Sequence, residues 1–284
     1  APGASRAGTA AEAPVYVIGT EVPVPGGETA RAGLAPTPTS AADFVGTVET
    51  HRGLFHEAGL DDAWRRVIAV VVQPGVEFDS LTVHRYERSA AVGLTAALGS
   101  APGLFFEAHS TDYQPTAALR ELVEDGFAVL KVGPELTFTL REQLFGLEEI
   151  EAEIAAAPAR SLPSARSRLR ETVLAAMNAD PRSWKGYYPE DARLAYCMTY
   201  AYSDRMRYYW DAPEVARAVE TLFANLGGGE LSLPLVSQHV PHIPPAADIP
   251  PGGSMARELV LRGIEGQLER YLVACGSSAL AARR

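Results

Sequence analysis

The sequence predicts an α/β protein built on a parallel sheet. Three observations carry that expectation. Four short apolar, β-branched runs alternate with helical stretches: "PVYVIGTE" (14–21), "RRVIAVVVQPG" (65–75), "GLFFEAH" (103–109) and "FAVLKVGP" (127–134). The second and fourth are continuously apolar rather than alternating, the composition of strands buried on both faces. Each run also ends in a polar group: Glu21, Gln73, Glu107 with His109, and Lys131. In parallel sheets joined by right-handed crossovers, the side chains that do chemistry sit at the C-terminal ends of the strands.

The elements follow in order. Residues 1–13, "APGASRAGTAAEA", are small and featureless, and read as a disordered lead without the apolar core of a signal peptide. The first strand runs into the turn-rich "EVPVPGGE". "SAADFVGTVETHRGLFHEAG" (40–59) then reads as a helix, with Ser40 as N-cap and Gly59 as its stop. The second strand is followed by the helix "YERSAAVGLTAALGS" (86–100), and the third by "PTAALRELVEDG" (115–126). Pro at the start and Gly at the end of that stretch are the usual helix asymmetry. The fourth strand leads into a long helix, "LTFTLREQLFGLEEIEAEIAAA" (136–157).

Residues 158–284 read differently. "RETVLAAMNADPRSW" and "APEVARAVETLFANL" are helical, on either side of an aromatic and basic segment, "YCMTYAYSDRMRYYW" (196–210). "GGGELSLPLVSQHVP" reads as loop with a short extended piece, and "PHIPPAADIPPGG" as a proline-rich linker or lid in which His242, like the nearby His239, faces solvent. "MARELVLRGIEGQLERYLVACG" (255–276) is a final helix. The expected organisation is a lead (1–13), a βα segment (14–157) and a helical C-terminal extension (158–284).

Composition excludes several function classes. The chain carries a net charge of −10 over 284 residues with no basic run. Such a chain is a poor nucleic-acid binder, since neutralising phosphates supplies most of that affinity. No stretch approaches the roughly 20 apolar residues of a membrane-spanning helix. The two cysteines, Cys197 and Cys275, form no CxxC or Cys/His cluster, which fits a reducing compartment and a cytoplasmic location. Of 25 basic residues only Lys131 and Lys185 are lysines. A chain that meets its surface charge with arginine has no solubility reason for a lysine inside "AVLKVGP".

Six segments together resemble one known family. "YVIGTEVPVPGGE", "VIAVVVQPGVEF", "FFEAHSTDYQ", "LKVGPELTFTLREQLF", "YSDRMRYYW" and "LPLVSQHVP" occur in colinear order between about Pro14 and Ala274. They resemble signature segments of the D-tagatose-1,6-bisphosphate aldolase non-catalytic subunits of GatZ/KbaZ-like type. The resemblance implies an aldolase-type (β/α)8 TIM barrel, of which this chain would hold only the C-terminal four βα units plus a helical extension. It implies a partner, a zinc-dependent class II aldolase subunit acting in galactitol or amino-sugar catabolism. The accessory subunit would support that partner's activity and stability. Related members imply an alternative, a metal-dependent ketose or ketose-phosphate 4-epimerase. A half-barrel would expose two sheet edges and an apolar inner face, inviting a second half-barrel chain or a dimer.

The candidate site residues each have two readings. Glu107 and His109 lie two apart on one strand and so share a face. They form either a metal ligand (His109) beside a general base or ligand (Glu107), or a hydrogen-bonded pair filling a barrel mouth. The metal would be zinc or manganese, held completely only with the missing barrel half or the partner subunit. Lys131 is either a cation for a phosphate or enolate oxygen, a Schiff-base lysine, or an internal ion-pair partner of Glu107 or Glu21. Glu21 is an acid/base residue or half of a buried ion pair. In the epimerase reading Glu107 and Glu21 would exchange protons. Gln73 contacts a substrate hydroxyl or bonds the backbone. Asp112 orients His109 or caps a helix. Gly133 opens a helix whose free amides suit phosphate, and Arg205 offers a guanidinium fork to the same group, against surface pairing as the alternative.

Overall fold

A computed structural model describes residues 13–20, 36–157, 161–227, 231–240 and 254–277. Its main sheet has four parallel strands, β1 (Tyr16–Ile18), β2 (Val67–Val72), β5 (Phe105–Ala108) and β6 (Phe127–Leu130), in the order β1-β2-β5-β6. The strands are adjacent in the order of the chain, as successive βα units require. The crossovers are α1 (Ala41–Glu57) with the short α2 (Asp61–Trp64), α3 (Arg88–Ala97) and α4 (Thr116–Glu124), and β6 leads into α5 (Pro134–Ala156). This is the mixed α/β fold with a parallel sheet that the apolar runs predict.

Local signals work as expected at several ends. The Ser40 hydroxyl accepts the Asp43 amide at 3.1 Å, satisfying one of the unpaired donors of the first turn of α1. Gly59, with φ +68, ends that segment in a conformation that costs glycine little. Sequence reasoning misses a two-stranded antiparallel insertion after β2, formed by β3 (Glu77–Phe78) and β4 (Val83–His84). Two-residue strands carry too little periodicity to be seen.

Among the described residues the crossover helices cover one face of the sheet. Ile18, Val70, Val72, Phe106, Ala108 and Phe127 pack with Phe44, Val48, Leu94, Leu119 and Leu122 of the crossover helices. Phe106 lies edge-on to Phe44 at 5.3 Å and tilted against Phe127 at 4.9 Å. Each such fully buried ring contributes about 1.5–3 kcal/mol relative to exposure. The strand register puts Val17, Ala69, Val71, Phe105, Glu107 and Val129 on the opposite face. Two apolar members of that face are open to solvent, Val17 at 40% and Phe105 at 49%.

Beyond residue 157 the described chain is helical: α6 (Leu169–Ala179), α7 (Leu194–Tyr200), α8 (Pro213–Leu226), α9 (Leu233–His239) and α10 (Met255–Ala274), with 3-10 turns at Pro181–Ser183 and Arg205–Tyr208. These helices and α5 form a second apolar cluster around Leu147, Ile150, Leu169, Met177, Met206 and Leu222. The stretch expected to hold a short extended piece contains α9 instead. Pro234 sits in the first turn of α9, where its missing N–H is no loss, and His239 at its end is partly buried rather than facing solvent. Gly146 of α5 lets the two helices meet, since a Cβ there would lie 2.2 Å from the His239 carbonyl oxygen. Helix α10 belongs to both clusters: Ala256, Leu259 and Val260 to the helical one, Tyr271 and Ala274 to the sheet.

Candidate functional site

Where β5 and β6 leave the sheet, a carboxylate, an imidazole and an ammonium group meet. Glu107, on the face of β5 opposite Phe106, is 4% exposed. Its Oε1 lies 2.8 Å from His109 Nε2 and 3.0 Å from Lys131 Nζ. Parallel pairing sets this meeting: Glu107 is opposite Val129, so Lys131, two residues on, points to the same side one step nearer the strand end. The Lys131 side chain is 56% exposed, whereas that of Glu107 is 5%. The cluster therefore has a buried anion at its base and a cation facing solvent. A displaceable cation of this kind suits an incoming phosphate or carboxylate.

The loop after β5 is strained and tightly bonded. Ser110 and Tyr113 adopt left-handed backbone with φ of 54° and 63°, a cost of order 1–3 kcal/mol each that must be met by surrounding contacts. Thr111 donates both its amide (3.2 Å) and its hydroxyl (2.8 Å) to the Lys131 carbonyl. The Lys131 amide in turn donates to the Ala108 carbonyl at 2.9 Å. The exits of β5 and β6 are thus laced into one unit.

Asp112 completes that unit. Its Oδ1 accepts the amides of Gly133 and Glu135, each at 2.8 Å, so it caps α5 rather than the helix that directly follows it. The Gly133 amide proposed for phosphate is held by this carboxylate. Burial pushes the Asp112 carboxyl up to about 6, against the lowering effect of the two amides. The sign follows: a folded value above the unfolded 3.8 means that the native state holds the proton longer. This contribution to stability is present below about pH 4 and is lost as pH rises through about 6. Asp112→Asn, which keeps an accepting oxygen, should flatten that dependence. Urea unfolding between pH 4 and 6.5 should show the wild type losing about 2–3 kcal/mol more than D112N, at 1.36 kcal/mol per unit.

The other expected site residues make different contacts. Gln73, just past β2, accepts the Gly75 amide on Oε1 at 2.8 Å, donates its own amide to the Thr39 hydroxyl at 2.8 Å and accepts the Thr39 amide on its carbonyl at 2.8 Å. Arg205 is 3% exposed, with its guanidinium 3.3 Å from the Tyr187 ring centroid and its amide on the Tyr188 hydroxyl at 3.0 Å. Its 3-10 turn follows Asp204, whose carboxylate faces Arg141 of α5 at 3.4 Å. The same segment reaches the β5 loop: the Tyr113 hydroxyl donates to the Tyr202 carbonyl at 2.6 Å, within an aromatic group that includes Phe78 and Phe138. Glu21 and His242 lie outside the described residues.

The expected divalent metal can be tested against these side chains. Among the described residues no group of three His, Cys, Asp or Glu is placed to hold an ion. Glu107 and His109 offer two donors, already bonded to one another. The described residues do not make a metal centre by themselves.

Comparison with known proteins decides the family. The family model for the D-tagatose-1,6-bisphosphate aldolase subunit GatZ/KbaZ-like matches residues 3–276. The chain belongs to the GatZ/KbaZ-like family. A Klebsiella pneumoniae relative named D-tagatose-1,6-bisphosphate aldolase subunit GatZ is 44% identical over 92% of this chain and 60% of its own length. A Salmonella paratyphi B protein of the same name is 46% identical over 80% of this chain and 52% of its own. Among solved structures, one described as a probable tagatose 6 phosphate kinase from Sinorhizobium meliloti 1021 superposes with a TM-score of 0.74. It is 40% identical, and the match covers 92% of this chain and 63% of that one. This GatZ/KbaZ-like chain thus spans about half to three fifths of the curated relatives it matches.

Sequence reasoning misses one set of residues around the Glu107–His109–Lys131 cluster. Glu135, Arg270 and Tyr271 bond to the β5 loop, but 135 or more residues separate the partners on α10 from those on α5. The only local hint is Tyr271 on the buried stripe of an amphipathic helix, which reads as core.

Proposed function

We propose that this chain is an accessory, non-catalytic subunit that supports the activity and stability of a class II D-tagatose-1,6-bisphosphate aldolase in galactitol or amino-sugar catabolism in the cytoplasm. The observation that carries this reading is its family membership, with relatives at 43–47% identity that bear that subunit name. Among the described residues no helix is long and apolar enough to cross a membrane, which agrees with it. In the finer reading of the fold, the four βα units are the C-terminal half of a (β/α)8 barrel. The open sheet face bearing Val17 and Phe105 is what the inner wall of such a barrel would present. A partner that binds only the folded chain stabilises it by mass action, and the effect is reciprocal.

The Glu107–His109–Lys131 cluster fits a sugar-phosphate contact at the barrel mouth. Lys131 can swing from Glu107 to a phosphate oxygen, and Glu107 keeps His109 as its partner when that happens. No proton transfer to a sugar is required of the chain in this role.

The test is a titration of the purified chain into a class II aldolase that cleaves tagatose 1,6-bisphosphate. The expected result is a saturable rise in cleavage rate and in the aldolase's melting temperature. Absence of both overturns the proposal. Turnover of a ketose phosphate by the chain alone, with a divalent metal supplied, would point to the 4-epimerase instead. E107Q should weaken the stimulation by raising the concentration of chain needed, while circular dichroism stays unchanged.

A further inference from the structure

The last helix is tied to the strand-end cluster by a short chain of hydrogen bonds. The Tyr271 hydroxyl lies 2.9 Å from the Thr111 carbonyl oxygen and 3.1 Å from Glu135 Oε2. Arg270 meets Glu135 Oε1 at 2.8 Å and donates its second nitrogen to the Gln114 carbonyl. Glu135 Oε2 also accepts the amide of Tyr113, one of the two left-handed residues of the loop, at 2.8 Å. We propose that Glu135, Arg270 and Tyr271 are positioning residues, through which helix α10 sets where Lys131 and His109 stand relative to Glu107. This inference rests on reading those three side chains as the functional cluster.

Thr111 joins the two strand exits to helix α10. It lies two residues after His109, and both its donors are spent on the Lys131 carbonyl. Its own carbonyl accepts from Tyr271. The loop carrying His109 and the segment carrying Lys131 therefore move together, and the hydroxyl of Tyr271 fixes both against α10. The second tie, at Tyr113, restrains a backbone conformation that surrounding structure must enforce. Glu135, 3% exposed, has Arg270 as its ion-pair partner there. Burial and the Glu135 charge hold the Tyr271 phenol far above its ordinary range, so the hydroxyl remains a donor. Helix α10 is itself seated in both apolar clusters, so a shift among the C-terminal helices reaches the cluster through this contact.

The chain's two lysines make the test direct. Under limiting amine-acylating reagent, mass spectrometry gives the acylation rate of Lys131 against exposed Lys185 in the same molecule. Tyr271→Phe keeps the ring in the sheet cluster and removes only the hydroxyl. The ratio of Lys131 to Lys185 labelling is expected to rise about two- to tenfold, the equivalent of one hydrogen bond, with far-UV circular dichroism unchanged. E107Q, which frees Lys131 directly, marks the largest rise attainable. A flat ratio in Y271F beside a raised one in E107Q overturns the proposal. Should Y271F fail to fold, Arg270→Lys keeps the charge opposite Glu135, removes the arm to Gln114 and is read the same way. The labelling ratio needs no sugar and no partner: a raised ratio without aldolase stimulation retains the positioning role and removes the functional reading, and the converse removes only this one.

Discussion

Replacing Arg141 by methionine is expected to cost about 3–5 kcal/mol of stability, as breaking one half of a buried ion pair does. Arg141 and Asp204 are 3% and 0% exposed in their side chains, 3.4 Å apart. Arg141 also donates to the Thr199 carbonyl at 2.5 Å and stacks 4.2 Å from the Phe138 ring centroid. Methionine can fill the volume but removes the buried cation from the Asp204 carboxylate, which keeps the Thr137 hydroxyl at 2.6 Å and the weaker influence of Arg207. Burial already raises the Asp204 pKa, opposed by Arg141, so the orphaned group takes up a proton rather than staying charged. The urea midpoint should drop accordingly, and Tm by something on the order of 10 °C. The double variant R141M/D204N is the discriminating sample. It removes the charge along with its partner, and asparagine tolerates the left-handed backbone (φ 42°) that Asp204 adopts. R141M/D204N should recover more than half of the loss. A single variant within 1 kcal/mol of wild type would mean that water or another group reaches Asp204.

Glu151→Leu is the second large effect, about 4 kcal/mol. Glu151 is fully buried in α5 and accepts three donors: the Ser167 amide at 3.0 Å, the Ser167 hydroxyl at 2.6 Å and Asn225 Nδ2 at 2.6 Å. It fastens the loop before α6 to α5 and α8. Leucine leaves the Ser167 amide buried without its acceptor, and hydrogen bonds to a charged group contribute about 1.5–3 kcal/mol each. E151Q should lose about half as much, because one oxygen still accepts while the new amide opposes a donor. Equal stability of E151L and wild type in urea would refute this account of the network.

Much of the fold was legible because the strong signals are local. The apolar runs at 67–72 and 127–130, the Ser40 cap and the Pro115 to Gly126 punctuation each depend on a few neighbouring residues, and each marks an element in the structure. The pairing of Glu107 with His109 follows from the two-residue period of a strand. The meeting of Lys131 with Glu107 needed the register of β5 against β6, which the sequence leaves open, although an ion pair between them was one of its readings. The β3–β4 insertion and α9 were illegible for a local reason, since they are too short to show a period. Arg270 and Tyr271 were illegible for the opposite reason: their partners on α5 and the β5 loop lie more than 130 residues away.

The double seating of α10 bears on how the polypeptide matures on the ribosome. Ile18, near one end of the described chain, and Tyr271, near the other, close the same apolar cluster. Phe106 and Phe127 therefore leave the exit tunnel well before their final cover is synthesised. Contacts of such long sequence separation form slowly, and the half-covered nascent sheet is a natural client for chaperones in the interval.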